Sequence, residues 1–210
     1  MNAVILAAGF GKRLLPLTEG TPKPLLKVRG KNLIDYHIEN LSKACVEKII
    51  INTHYLPDLI ENHVSAKYKH LNIEFSREDK ILGTGGGIKK AASMLSDGPI
   101  LVINTDNFLE EDYKKFIDQS SSRVFVCKDE NGDFDVENGM VKLGSEKSFR
   151  FVGISILKKS EIIDVDLDEF DYWQDYLKLK ALEGSLPAEE IDFDCYHIGT
   201  IESLNKINHE

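Results

Sequence analysis

Apolar strands and amphipathic helices alternate through the first half of this 210-residue chain, which leaves few architectures open to it. Residues 2–8, Asn-Ala-Val-Ile-Leu-Ala-Ala, read as a buried strand that runs straight into a Gly-rich loop. Leu33, Ile34, His37, Ile38, Leu41 and Ala44 share one helical face, which predicts a helix over 33–45. The β-branched run 46–52 predicts a second strand, 56–68 a second amphipathic helix and 71–75 a third strand. A Gly-rich turn is expected at 83–87, then a helix over 88–95 and a fourth strand over 99–104. This β-α-β-α-β-α-β order predicts an α/β fold, an open and mostly parallel sheet with helices on both faces. Such sheets bind ligands beyond the carboxyl ends of their strands, where residues 9–13 and Asp106 fall.

The second half is less regular. Residues 123–127 and 149–157 read as strands, separated by an acidic, Gly- and Asn-containing excursion over 128–144. The acidic stretch 164–184 carries Phe170, Trp173, Tyr176, Leu177 and Leu179, as expected of a helix packed by its aromatic side. A last strand is expected over 193–198 and a closing helix over 200–207, with Thr200 as its N-cap. No repeat or linker interrupts the chain, so residues 1–210 are read as a single domain.

Composition narrows the function classes. A chain 42% hydrophobic and 29% charged has ordinary soluble composition, and its apolar stretches are too short to span a bilayer. Neither a membrane partner nor a secretory leader is expected, and a cytoplasmic location follows. Cys45, Cys127 and Cys195 are scattered, odd in number and without CxxC spacing, which argues for free thiols in a reducing compartment and against zinc or a disulfide framework. A net charge of −9 disfavours broad binding to nucleic acid, whereas NTP binding remains open if local cations neutralise the phosphates.

The most informative stretch is Leu6-Ala7-Ala8-Gly9-Phe10-Gly11-Lys12-Arg13-Leu14-Leu15-Pro16-Leu17-Thr18, followed by Pro22-Lys23-Pro24-Leu25. Gly9 and Gly11 allow a tight turn that brings backbone N–H groups against phosphate oxygens. Lys12 and Arg13 place charge where a triphosphate would lie, and Arg13 can bridge two oxygens. The flanking prolines restrict the backbone around Lys23 and pre-position a cation. A lone G-x-G carries little weight, because tight βα turns use it for packing alone. The spacing also fits neither a Walker A loop nor G-x-G-x-x-G, since position 14 is Leu.

The whole string, G-x-G-x-R-x-x-P-x-T followed by P-K-P-L, resembles the signature of the sugar-1-phosphate nucleotidyltransferases. Asp35-Tyr-His, Ile51-Asn-Thr-His-Tyr, Gly83-Thr-Gly-Gly-Gly-Ile, Asn104-Thr-Asp-Asn, Gly132-Asp-Phe, Phe151-Val-Gly-Ile-Ser-Ile-Leu and Ile198-Gly-Thr extend the resemblance over nearly the whole chain. The short length and the TGGGI and GDF segments resemble in particular the bacterial N-acetylmuramate 1-phosphate uridylyltransferases. The resemblance implies a Rossmann-like three-layer α/β/α sandwich on a mixed sheet, the GT-A-like nucleotidyltransferase fold. It also implies an NTP-binding half at 1–110 and a sugar-phosphate-binding half at 111–210.

The implied reaction is attack of a sugar-phosphate oxygen on the α-phosphorus of an NTP, with release of pyrophosphate. An ionised phosphate needs no general base, so catalysis reduces to positioning, Mg²⁺ and charge neutralisation. By resemblance, Arg13 steadies the pyrophosphate, Lys23 contacts the α-phosphate or the sugar phosphate, and Asp106 binds Mg²⁺. Ala7, Ala8, Gly9, Gly11 and Lys12 join the nucleotide site, with Gly83 and Thr84 at the base. Glu78 sits where relatives place a polar base-contacting side chain; a plain surface glutamate in Arg77-Glu78-Asp79-Lys80 is the alternative. Asn52, Lys147 and Gly153 are sugar-phosphate candidates, together with Glu146. Gly153 would either admit the sugar or mark a bulge.

Many members of that family end in Asp-Ile-Gly-Thr, whose aspartate is a second Mg²⁺ ligand. Here His197 holds that position, so Asp194 or His197 is the candidate second ligand. UTP is the expected donor, and Glu78 keeps GTP, with mannose or heptose 1-phosphate as acceptor, as the alternative. A catalytically inactive nucleotide-binding or regulatory member is the reading of another class. Oligomeric state stays open.

Overall fold

Asn2, Ala3, Val4 and Ile5 are all buried, so both faces of the first strand must be covered. The computed structural model, which describes residues 1–109, 111–117, 120–144 and 147–209, covers them with helices. In chain order the strands are β1 (Asn2–Leu6), β2 (Lys27–Val28), β3 (Lys31–Asn32), β4 (Ile49–Thr53), β5 (Ile73–Arg77), β6 (Pro99–Asn104), β7 (Asn107–Leu109), β8 (Arg123–Lys128), β9 (Asp135–Glu137), β10 (Met140–Lys142), β11 (Phe149–Lys158), β12 (Ala188–Glu190) and β13 (Cys195–His197). The α-helices are α1 (Leu33–Lys43), α2 (Pro57–Lys67), α3 (Gly83–Ser93), α4 (Lys114–Ile117), α5 (Lys159–Ile163), α6 (Lys178–Leu182) and α7 (Ile201–His209).

The main sheet has the order β12-β8-β11-β6-β1-β4-β5. β1 pairs in parallel with β4 and β6, and β5 extends the parallel set beyond β4. β11 runs antiparallel between β6 and β8, which makes the sheet mixed. The period of two divides β1 between two cores. Ala3 and Ile5 join Ile34, Ile38 and Leu41 of α1 and Ile60 and Val64 of α2 on one face. Val4 joins Ile88, Ala91 and Ala92 of α3 and Ile162 of α5 on the other. The chain therefore has the mostly parallel three-layer α/β/α fold expected of it. Among the described residues no helix is long and apolar enough to cross a membrane.

Several boundaries differ from the sequence reading for identifiable reasons. The glycines at 83–87 are not a turn but the first turns of α3, which spans Gly83–Ser93. Glycine disfavours helix by about 1 kcal/mol per residue, but contacts with Asp168 and Phe170 described below override that preference. The stretch 164–184 is not one helix either. Asp171 caps a π-helical segment, Tyr172–Leu177, by accepting from the N–H groups of Trp173 and Gln174, and α6 follows. The 128–144 excursion contains the β9/β10 hairpin, closed by Asn138 and Gly139 at φ 52° and 74°. Positive φ at both positions is the two-residue turn that Asn-Gly favours. The expected last strand is the short β13, which pairs with β7 outside the main sheet. Ser203 N–H donates to Thr200 Oγ1 at 3.2 Å, as an N-cap requires.

α1 and α2 are joined by a buried carboxylate. Asp35 accepts from Lys67 Nζ at 2.8 Å, His63 Nε2 at 2.8 Å and Tyr68 OH at 2.9 Å. Burial alone would raise this carboxyl, but the three bonds outweigh it and hold it below the usual carboxylate value. The unfolded chain therefore takes up this proton more readily than the folded one. The stabilisation is complete above the ordinary carboxylate range and is lost as the pH falls through the lowered value. Thermal unfolding should show Asp35→Asn less stable at neutral pH, with the deficit shrinking on acidification from about pH 5 to pH 3. A deficit that stays constant over that range would remove Asp35 as its source.

Candidate active site

β1, β4 and β6 end side by side, and a cavity of about 420 Å³ opens beyond their carboxyl ends. The loop leaving β1 forms one wall, with Ala7, Ala8, Gly9, Gly11, Lys12 and Arg13 on its lining. Gly11 lies at φ 65°, and a Cβ there would come within 2.9 Å of Thr18 Cγ2, so this turn needs glycine twice over. Gly9 is different: a Cβ would meet nothing within 4 Å, and the backbone simply faces open space. The loop is tied down from outside. Tyr55 OH donates to the carbonyls of Thr18 and Glu19 at 2.8 and 3.0 Å, and Phe10 packs edge-on against His54 and Tyr55.

The loop's two prolines place Lys23 in a short 3₁₀ turn, aimed at the end of β6. Lys23 Nζ donates to Asp106 Oδ2 at 3.0 Å. Asn107 Nδ2 donates to Asp106 Oδ1 at 3.0 Å, and the Asp106 carbonyl accepts from Ile198 N–H at 2.7 Å. Burial works to raise the Asp106 carboxyl, but the charges of Lys23 and His197 keep it below its usual value. Burial lowers the Lys23 ammonium in spite of Asp106. Arg13 stands close by, since a Cβ on Gly199 would lie 3.6 Å from its Nη1. Arg13, Lys23 and Asp106, 93 residues apart from first to last, thus meet at one cavity.

The far end of the cavity is lined by Asn52, Glu78, Ile81, Gly83 and Thr84. Glu78 is only 3% exposed and is no surface glutamate. Its Oε1 accepts from Asn52 Nδ2 at 2.8 Å and its Oε2 from Leu82 N–H at 3.0 Å. Asn52 Oδ1 accepts from Ala7 N–H at 2.7 Å, so one amide links the loop of β1 to Glu78. Asn52 therefore lines this cavity.

Residues 168–172 pack across the start of α3. The Phe170 carbonyl accepts from Gly85 N–H at 2.9 Å and Gly86 N–H at 3.3 Å. A Cβ at Gly83, Gly85 or Gly86 would approach Phe170 or Asp168 to within 2.4 Å, so the glycine run is a seat for this strap. Thr84 Oγ1 donates to Asp171 Oδ2 at 3.1 Å and accepts from Tyr172 N–H at 2.8 Å. That hydroxyl is committed, and Asp171 joins the lining of the cavity. Sequence reasoning missed Asp171. The only signal was an acidic residue before an aromatic run, which suits a helix cap equally well.

The remaining candidates lie elsewhere. Gly153 sits at φ 72° where β11 slips register between Phe151 and Ser155. A Cβ there would stand 2.2 Å from Asn107 Nδ2, so it marks a bulge that lets the Asp106–Asn107 turn pack closely. Lys147 is exposed and does not line the cavity, and Glu146 lies outside the described residues. Asp194 is exposed and absent from the cavity wall. His197 lines a neighbouring cleft; burial lowers its imidazole below the ordinary value, aided by Lys23, Arg13 and Arg150 and opposed by Asp106. Among the described residues, no three His, Cys, Asp or Glu side chains converge as a metal site.

With this geometry in view, likenesses to known proteins acquire a location. The nucleotidyl transferase family model matches residues 2–150, which hold the whole cavity wall except Asp171 and Gly199. The N-acetylmuramate alpha-1-phosphate uridylyltransferase of Caulobacter vibrioides is 42% identical over 134 residues, 60% of this chain and 55% of that protein. The D-glycero-alpha-D-manno-heptose 1-phosphate guanylyltransferase of Aneurinibacillus thermoaerophilus is 33% identical over 122 residues, 58% and 53%. The matches span about half the length of these relatives. The crystal structure of HddC from Yersinia pseudotuberculosis complexed with GMP-PN superposes with a TM-score of 0.82 at 28% identity, covering 99% of this chain and 98% of that one.

Proposed function

The chain belongs to the nucleotidyl transferase family, and on that premise we propose that it transfers a uridylyl group from UTP to a sugar 1-phosphate. The proposed acceptor is N-acetylmuramate 1-phosphate, the cofactor Mg²⁺, and the products pyrophosphate and a UDP-sugar. The reading is carried by the meeting of Arg13, Lys23 and Asp106 at one cavity beside the Gly9–Gly11 turn. The likeness to the Caulobacter uridylyltransferase supports the choice of base and sugar.

In this reading the triphosphate lies along the loop of β1, where backbone N–H groups, Lys12 and Arg13 face its oxygens. A sugar-phosphate oxygen attacks the α-phosphorus as the bond to the bridging β-phosphate oxygen breaks. Lys23 balances negative charge around the α-phosphate, and Arg13 holds the departing pyrophosphate. The donor set suits a hard cation held by one carboxylate and the substrate's own phosphates, because Asp106 keeps lone pairs beyond those used by Lys23 and Asn107. Mg²⁺ would supply charge neutralisation at the phosphates. The His197 imidazole is a poor partner for Mg²⁺, and the reading does not require it.

A guanylyl donor is the second reading, and one observation favours it. Glu78 and Asp171 both present carboxylates at the base end of the cavity, where they would accept from the N1–H and N2–H of guanine. A panel of UTP, GTP, CTP and dTTP with N-acetylmuramate, mannose and heptose 1-phosphates and Mg²⁺ decides between them. The expected result is pyrophosphate release with UTP and N-acetylmuramate 1-phosphate. Turnover with GTP alone would overturn the preferred donor.

A further inference from the structure

Beside the nucleotide cavity lies a second cleft of about 470 Å³. The two share a partition: Gly199 lines the first and His197 the second. A Cβ on Gly199 would lie 2.6 Å from His197 Nε2 and 3.6 Å from Arg13 Nη1, so the partition is one residue thick. Two residues before His197 on β13, the Cys195 carbonyl accepts from Arg150 Nη2. Arg150 Nε pairs with Asp129 Oδ2 at 2.9 Å, and this side chain is only 17% exposed. Bonds at two of its three nitrogens hold the guanidinium in place. Its Nη1 has no partner among the described residues, and Arg150 lines the cleft. Lys206 of α7, also without a partner among the described residues, lines the same cleft and offsets the Asp133 carboxylate on its wall. Nothing in the transfer chemistry uses Arg150 or Lys206.

We propose that this cleft is a carboxylate subsite for the acceptor, where Arg150, assisted by Lys206, reads an acidic substituent of the sugar other than its 1-phosphate. The inference rests on the transfer reaction proposed above. In that reaction the nucleotide fills the first cavity, from the β1 loop to Glu78, and the acceptor phosphate must reach Lys23 and Asp106. The sugar behind that phosphate needs room that the nucleotide does not take, and the cleft beyond His197 offers it. Two residues of strand separate His197 from Cys195, about 7 Å at the rise of a β-strand. That distance is of the order that separates an anomeric phosphate from an acid group carried elsewhere on the ring.

The chemistry selects an anion over a hydroxyl. A guanidinium has five N–H donors in a planar fork, and Asp129 and the Cys195 carbonyl occupy two of them. The remainder match a second carboxylate, so Arg150 would bridge Asp129 and the ligand. Because its side chain is largely buried and already fixed, little rotamer freedom is lost when the ligand binds. A neutral sugar in the same place would gain only an ordinary hydrogen bond. Arg150 is therefore a specificity-determining residue, which sorts acidic from neutral acceptors.

The test uses the full chain with UTP, Mg²⁺ and two acceptors that differ only in the acid-bearing substituent, N-acetylmuramate 1-phosphate and N-acetylglucosamine 1-phosphate. The KM of the first should lie about tenfold or more below that of the second, the effect of one charge-assisted hydrogen bond. Arg150→Met should close that gap, and KM for the acid should change more than kcat, because the contact lies away from the reacting phosphorus. Arg150→Lys should recover part of the gap, since a cation without the fork remains. Esterifying the acid tests the same contact in the unaltered protein and should raise KM to that of the neutral sugar. The proposal is overturned if the parent chain handles acid, ester and neutral sugar alike, or if Arg150→Met weakens every acceptor equally. Calorimetric titration with N-acetylmuramate 1-phosphate alone reads the subsite without turnover, and equal affinity in parent and Arg150→Met would also overturn it. A chain that turns over no NTP yet shows that difference in affinity would count against the transfer reaction and not against the subsite.

Discussion

Asp106→Ala is expected to slow pyrophosphate release about a thousandfold, roughly 4 kcal/mol of transition-state stabilisation. Asp106 is, among the described residues, the carboxylate at the end of β6 that Lys23 contacts beside the loop of β1. Removing it takes the anionic partner from Lys23, whose side chain is only 13% exposed, and the oxygen donors from any cation at the phosphates. The fold should survive, because Asp106 lies at the cavity and its backbone bond to Ile198 is kept. Asp106→Asn separates charge from shape, since the amide can still receive the Lys23 proton on its oxygen. A loss nearly as large in Asp106→Asn locates the effect in the charge. If Asp106→Ala kept turnover within about tenfold of the parent, it could not hold the cation.

Gly83→Ala is expected to cost about 3 kcal/mol of stability, at the upper end for a single substitution. Two penalties coincide there. The φ of 75° is a conformation that alanine adopts only with strain, and its Cβ would fall 2.4 Å from the Phe170 carbonyl oxygen. Backbone does not rotate away as a long side chain would, so the strap over α3 must lift. Urea unfolding measures the stability loss, and faster hydrogen exchange at Gly85 and Gly86 reports release from the Phe170 carbonyl. The KM for the nucleotide should rise more than kcat falls, because the damage is at the base end. Gly9→Ala is the matched control, with no neighbour within 4 Å and an expected change below about 0.5 kcal/mol. Equal stability for the two variants would contradict the docked strap.

The parallel half of the fold was readable because its central strands β1, β4 and β6 are buried on both faces and its helices on one, and burial writes itself into residue order. The β1 loop was readable for a related reason: glycines, prolines and cations cluster there within a few residues. The far end of the cavity was not. Glu78 sits in Arg77-Glu78-Asp79-Lys80, where charge suggests solvent, yet it turns inward to Asn52 while Arg77 pairs outside with Asp58 and Glu61. The run at 83–87 looks like a turn by propensity, because the packing that makes it helical comes from Phe170, more than eighty residues away. Asp171 was invisible by the same logic. Local pattern predicts what a residue can do alone, and these positions are decided by what arrives from elsewhere.

The Asn52 amide joins two neighbouring strand ends with one side chain, accepting from Ala7 and donating to Glu78. Its amide supplies both roles: aspartate would set two carboxylates against each other, and leucine would leave the buried Ala7 N–H and the Glu78 Oε1 atom unmet. The two ends of the cavity, which the proposed function gives to the phosphates and the base, are consequently one body before any ligand arrives. A nucleotide entering it gives up its own freedom but need not organise the walls, so less of its binding energy goes into ordering the protein.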